Sequence, residues 1–234
     1  MSKFVFTLVS LLSYSTLVQA QDGPKLMETL GIRIGDTPEQ IEKILAPQGY
    51  KAGNRSEHVL GPDFRGHVAY IMYAKAATGF ENAGEITVGF GPQSGTAVAI
   101  ARRENFYRNV SASELKKALT DKYGLPNSDT AGNMRWMSYK PGVNPKSISP
   151  ESCKVRDNMQ VNYGQDVRRF KDCKQSLYVG LSESPNNGLE YRKIEVGMID
   201  FSVYSNEWTA VNAMIAKKSA EGLEKNKTAP LPKL

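Results

Sequence analysis

The sequence predicts an α+β protein built from two similar halves, each a short capped helix followed by antiparallel strands, with a helix near the C-terminus. Three observations predict it. A helix-entry signature recurs after 74 residues, from Thr37 to Ser111. Strand-like segments separated by turn residues follow each copy, and an amphipathic stretch lies near the C-terminus.

In the first copy, Thr37 is an N-cap, Pro38 suits the first helical position, and Gln40 completes a capping box. Ile41, Ile44 and Leu45 then form an apolar stripe at i, i+3, i+4. In the second copy, Ser111, Ala112, Glu114, Leu115, Ala118 and Leu119 repeat the pattern, and the helix is expected to stop at Tyr123 with Gly124 as a left-handed cap and Pro126 beyond. Strands are expected over Gly66–Ala74, Glu85–Phe90 and Thr96–Arg102, the last two joined by a hairpin at Gly91–Gly95. The second set is Asn133–Lys140, Ser176–Ser182 and Lys193–Val203, with a reversal at Pro185–Gly188. Apolar residues change parity within Ile194–Val203, which implies a bulge or burial on both faces. A last helix is expected from about Asn206 to Gly222, with Trp208, Val211, Met214 and Ile215 inward.

The N-terminus has the layout of a secretory signal peptide. Lys3 supplies the positive start, Phe4 to Val18 an apolar stretch, and Val18-Gln19-Ala20 the small residues before a cut at Gln21. The stretch carries Thr7, Ser10, Ser13, Ser15 and Thr16, and is too short and polar to span a bilayer, which takes roughly 20 apolar residues. The domain reading is therefore 1–20 signal peptide, 21–106 first half, 107–223 second half with the C-terminal helix, and 224–234 a mobile tail. The mature product is expected to be exported, periplasmic or extracellular, and not membrane-spanning.

Of 234 residues, 40% are apolar and 23% charged, the balance of an ordinary globular protein. The formal charge of +6 becomes +5 without Lys3, a modest excess that permits attraction to anionic envelope polymers. Cys153 and Cys173, an even pair in an exported chain, are expected to form a structural disulfide. They bracket the least regular stretch, Pro141–Gln175, where a loop of such length is functional or stapled. Lys146, Lys154, Arg156, Arg168, Arg169, Lys171 and Lys174 lie in or beside it, with Tyr163 and Phe170 interleaved. Arg156, Arg168, Arg169 and Lys171 are the candidate binding residues for an anionic partner.

The run Gly31-Ile-Arg-Ile-Gly-Asp-Thr-Pro-Glu-Gln-Ile-Glu-Lys-Ile-Leu45 resembles the entry segment of the helix-plus-antiparallel-sheet repeat of beta-lactamase inhibitory protein and the small lipoprotein of the outer-membrane barrel assembly machine. Ser111–Pro126, ending Lys122-Tyr-Gly-Leu-Pro126, looks like a second copy. The chain is also similar to a loose group of uncharacterised bacterial secreted proteins with both signatures and a Trp-bearing strand, here Arg135-Trp136. The likeness covers about a sixth of the chain, in capping and turn residues. It departs at Ala46-Pro47, where Gly is usual, and lacks the lipoprotein cysteine. The resemblance implies a binding or assembly scaffold and carries over no catalytic residue.

Catalytic motifs are scarce. His58, Asp63 and His67 have a spacing open to acid–base or metal chemistry, yet Gly61-Pro62 reads as a turn and His67 opens a strand. Asp200, in an apolar strand, fits a hydrogen-bonded structural role at a bulge or strand end better than a functional carboxylate. Glu81, Glu85 and Glu183 have no pairing with it that spacing establishes. There is no nucleophile elbow and no phosphate loop. Asn54, Asn109 and Asn226 head glycosylation-type triplets, which matter only in a glycosylating host.

The expectation is therefore a secreted or periplasmic non-enzymatic binding protein. It would recognise an anionic envelope component or a protein partner, without cofactor, metal or nucleic acid. The alternatives are an envelope hydrolase acting on polysaccharide or peptide through Asp63, His67 or Asp200, and a purely structural envelope component.

Overall fold

The computed structural model describes residues 23–77, 82–130, 132–148, 153, 170–183 and 190–228. Two chain segments of matching order build it. The first runs α1 (Pro38–Leu45), β3 (Lys51–Glu57), β4 (Val68–Lys75), β5 (Ala83–Phe90) and β6 (Ala97–Ser111). The second runs α2 (Ala112–Tyr123), β7 (Ser128–Thr130), β8 (Asn133–Tyr139), β9 (Cys173–Glu183) and β10 (Glu190–Asp200). Each set of four strands is an antiparallel meander. The two meet through their last strands, giving one eight-stranded sheet in the order β3-β4-β5-β6-β10-β9-β8-β7. The duplication expected from the sequence is thus a duplication of topology.

One face of the sheet is closed. Alternation along β5 (Ile86, Val88, Phe90) and β9 (Leu177, Val179, Leu181) sends apolar side chains to it, where they pack with Ile41 and Leu45 of α1 and Leu119 and Tyr123 of α2. An N-terminal strap carrying a small hairpin, β1 (Glu28–Thr29) with β2 (Ile32–Arg33), joins this layer. The strap is tied to both halves: Lys25 N–H donates to the Tyr123 carbonyl (3.0 Å), and Gly35 N–H to the Ala97 carbonyl (2.8 Å). Arg102 and Glu104 form an ion pair beneath it, and Arg102 Nη1 donates to Thr29 Oγ1 (3.2 Å). Burial pushes the Tyr123 phenol up to about 12, and its O–H donates to the Glu28 carbonyl (2.8 Å).

The helix ends differ from copy to copy. At α1 the Thr37 and Gln40 capping box is complete. At α2 Ser111 is the N-cap but makes no side-chain capping bond; its hydroxyl lies 2.9 Å from that of Ser113 instead. Gly124 does take the positive φ (+88°) that a residue with a Cβ resists, although its ψ of −172° is not helical, so it turns the chain outward without the expected left-handed cap.

Among the described residues, one end of the other face is covered by α3 (Phe201–Thr228). This helix begins five residues before the expected start and continues past the point where the sequence reads as a tail. Phe201 and Val203 belong to it rather than to a strand, which explains the parity change: Val196 and Met198 face the closed layer, while Ile199 packs with Phe201, Tyr204, Trp208 and Val211. The sheet register shifts earlier, between Tyr191 and Lys193. The Cys153–Cys173 disulfide forms, both residues fully buried in this second cluster beside Phe170, which stacks on Phe201 at 4.6 Å. From Asn212 to Glu224 every residue of α3 except Met214 is exposed.

Both sheet edges are blunt. Six of the seven residues of β3 are exposed, it carries Lys51 and Arg55, and its pairing with β4 slips twice. β7 is three residues long. Among the described residues no helix is long and apolar enough to cross a membrane.

Candidate interaction face

Strand register decides which side chains share the half-face that α3 leaves open. One transverse row runs Ala74, Glu85, Arg103, Glu195, Gly180, Asn133. The next runs Met72, Thr87, Ala101, Gly197, Tyr178, Arg135. The row after that contains Ala99, Ile199 and Met137, and lies in the cluster beneath α3. This half therefore carries a charged row beside small residues, of which Gly197 and Gly180 are buried and Ala101 half-buried.

Its centre is an ion-pair triad. Arg103 Nε lies 3.0 Å from Glu195 Oε1, and Lys193 Nζ lies 2.5 Å from the same oxygen. Arg103 is 49% exposed and Lys193 31%, whereas Glu195 is 18% exposed. Burial acts to raise the Glu195 carboxyl; hydrogen bonds from Lys193 and Arg103, with their positive charge, outweigh it and hold the group below its ordinary value. The triad spans the junction of the halves, because β6 carries Arg103 and β10 carries the other two residues. Glu85 continues the row on the first-half side, exposed.

On the second-half side, the Arg135 guanidinium lies 5.5 Å from the Tyr178 ring centroid, a cation–π distance. Tyr178 O–H donates to Asn133 Oδ1 (2.6 Å). The Tyr178 ring lies along the strand over Gly180, in the space a Cβ there would need. A glycine at 180 thus keeps this end flat. Such a surface can meet the polar groups of a partner along its charged row.

Of the four expected binding residues, the structure describes Lys171. Arg156, Arg168 and Arg169 lie outside the described residues. Lys171 is exposed, in the turn just before β9; Lys140 N–H donates to the neighbouring Asp172 carbonyl (3.0 Å) there. That is the end of the sheet which α3 covers, so Lys171 and the Glu195 row are at opposite ends of β9.

The acid–base candidates are each held by a structural bond. His58 is buried, its Nε2–H donating to the Phe90 carbonyl (3.1 Å), and His67 Nδ1–H donates to the Pro92 carbonyl (2.6 Å). Asp63 is ion-paired with Lys218 of α3. Asp200 is the N-cap of α3, accepting from Ser202 N–H (2.9 Å) and Val203 N–H (3.0 Å) through Oδ1, and from Gln175 Nε2 (2.9 Å) through Oδ2. This agrees with the structural reading of Asp200 at a strand end. Glu81 and the side chain of Glu183 lie outside the described residues. Among the described residues no group of three or more His, Cys, Asp or Glu is placed to hold a metal ion.

No protein-family model, curated protein or solved structure matches the chain.

The residues of the open half escape sequence reading because β6 reads as ending at Arg102, whereas it continues to Ser111. The signal that could have found them is polar alternation: Arg103, Asn105 and Tyr107 on one strand, Lys193 and Glu195 on another.

Proposed function

We propose that the protein is an exported, non-enzymatic binding protein that docks a protein partner on the open half of its sheet. The observation that supports this reading is the charged row of Glu85, Arg103, Glu195 and Lys193, exposed or half-buried on the side of the sheet away from α1 and α2. The hydrolase alternative draws less support, since Asp63, His67 and Asp200 are each committed to an ion pair, a turn or a helix cap. Export rests on the signal-peptide layout, and the buried disulfide is compatible with it. The basic residues Arg156, Arg168, Arg169 and Lys171 form a second, electrostatic contact with an anionic envelope component in this proposal.

Cross-linking the protein in its native envelope, followed by mass spectrometry, tests the reading. Cross-links are expected to fall on the strands of the open half, and Arg103→Glu is expected to abolish them in a folded protein. Cross-links confined to the disulfide loop, or unchanged by Arg103→Glu, would move the site. A hydrolase screen in which Asp200→Asn or His67→Ala abolishes activity in folded protein would replace the reading altogether. Export is checked separately by the mass of the mature chain, expected to begin at Gln21.

A further inference from the structure

Both histidines of the chain lie at one seam, where three segments separate along the chain meet without a disulfide between them. The β3–β4 connection supplies His58, Asp63, Phe64 and His67. The β5–β6 turn supplies backbone acceptors, the Phe90 carbonyl for His58 and the Pro92 carbonyl for His67. The α3 helix supplies Glu207, Trp208 and Lys218. Glu207 Oε2 accepts from the amides of Gln93 (2.8 Å) and Ser94 (3.2 Å). The Trp208 indole, 4% exposed, meets the His58 ring edge-on at 6.4 Å, and Lys218 pairs with Asp63. Two sites hold α3 down: this seam and the aromatic cluster at its start, where Phe201 and Tyr204 meet Phe170.

We propose that the seam is an acid-sensitive latch: charging His58 releases the Glu207–Val211 turn of α3 from the β3–β4 connection and the β5–β6 turn. The ring is 5% exposed and is wedged between segments that can separate. A neutral imidazole satisfies the Phe90 carbonyl with one N–H; an imidazolium in the same place carries a charge that water no longer solvates. Among the described residues, the charged groups that act on the ring are His67 from its own connection and Glu207 from α3. The carboxylate of Glu207 is already engaged by two turn amides.

Burial is the largest influence on the ring and lowers its affinity for a proton, with His67 acting in the same direction and the Phe90 carbonyl and Glu207 against it; the outcome is below the ordinary 6.5. The sign follows. The closed seam binds the proton less well than an open one, so closure is fully favoured above about pH 6.5 and loses ground as pH falls below that value. Opening would extend the open half-face to the rows that α3 now covers, and the latch stands whatever that face binds.

Hydrogen exchange of the full chain at about pH 7.5 and about pH 5.5, corrected for intrinsic rates, tests the latch. Amides of residues 207–211 and 93–95 are expected to exchange severalfold faster at the lower pH, while those of β6 and β10 hold. His58→Gln, which keeps an N–H donor without a titrating charge, is expected to flatten the response; His67→Gln is expected to retain it. Should His58→Gln not fold, imidazole NMR of the His67→Gln protein replaces it: His58 is expected to titrate below 6.5, at the midpoint where the 207–211 amides shift. Equal protection at both pH values, a response that survives His58→Gln, loss of the whole sheet at once, or a His58 midpoint at or above 6.5 would each overturn the proposal.

Discussion

The two halves share an order of elements but are held together by different means. In the first, a complete capping box starts the helix and a six-residue turn, Gly91 to Thr96, joins β5 to β6. In the second, the helix N-cap makes no side-chain bond, and a disulfide anchors the long connection between β8 and β9. What is duplicated is the order in which strands pair. The local chemistry that finishes each copy has diverged, and the open half-face draws on both.

Substitutions that break this comparison should rank by how much buried surface they touch. Trp136, fully buried at the centre of the second half, donates its indole N–H to the Gly124 carbonyl (2.8 Å) and packs edge-on against Tyr123. Trp136→Ala is expected to cost about 4 kcal/mol in urea denaturation. In the first half, Ile71 and Tyr73 share the facing position on β4, so Ile71→Ala should cost less, about 3 kcal/mol. Replacing both cysteines with serine removes a cross-link across 20 residues and is expected to cost about 3 kcal/mol. Amides near Phe170 and Phe201 should lose exchange protection, with the first-half sheet unaffected.

A finer test separates the two caps. Thr37→Ala should lower stability by about 1 kcal/mol, and Ser111→Ala by a few tenths at most, because only the first side chain bonds its helix. Equal losses would show that the capping box does not distinguish the copies. Arg103→Ala is also expected to be mild, costing less than about 1 kcal/mol since half the side chain is in water. In that variant the Glu195 carboxyl loses one of its two donors and titrates higher. The stability it contributes above the ordinary 4.5, lost as pH falls through its lowered value, shrinks accordingly.

Regular elements with an apolar period were readable in advance. Thr37, Pro38 and Gln40 give the start of α1, and the alternation Ile86, Val88, Phe90 gives β5. Strand β3 was not readable: Lys51–Glu57 has no buried face, so it offers no period to detect, and its place comes from β4 alone. The start of α3 was hidden because Phe201 and Val203 continue a strand's alternation, and only the Asp200 cap ends the strand. The ion-pair triad needs the register of β6 against β10. Arg103 and Glu195 are 92 positions apart, and no local spacing predicts their meeting. The cysteine pair, by contrast, followed from an even count together with the expectation of export.

A sheet that ends in β3 on one side and β7 on the other has consequences in a crowded compartment. Backbone groups along β3 are interrupted by two slips and flanked by Lys51 and Arg55, and β7 presents only Ser128 to Thr130. Neither margin gives a neighbouring molecule a straight ladder to zip onto, so monomers are kept from stacking into fibres. Among the described strands, edge-to-edge pairing with another molecule is therefore disfavoured.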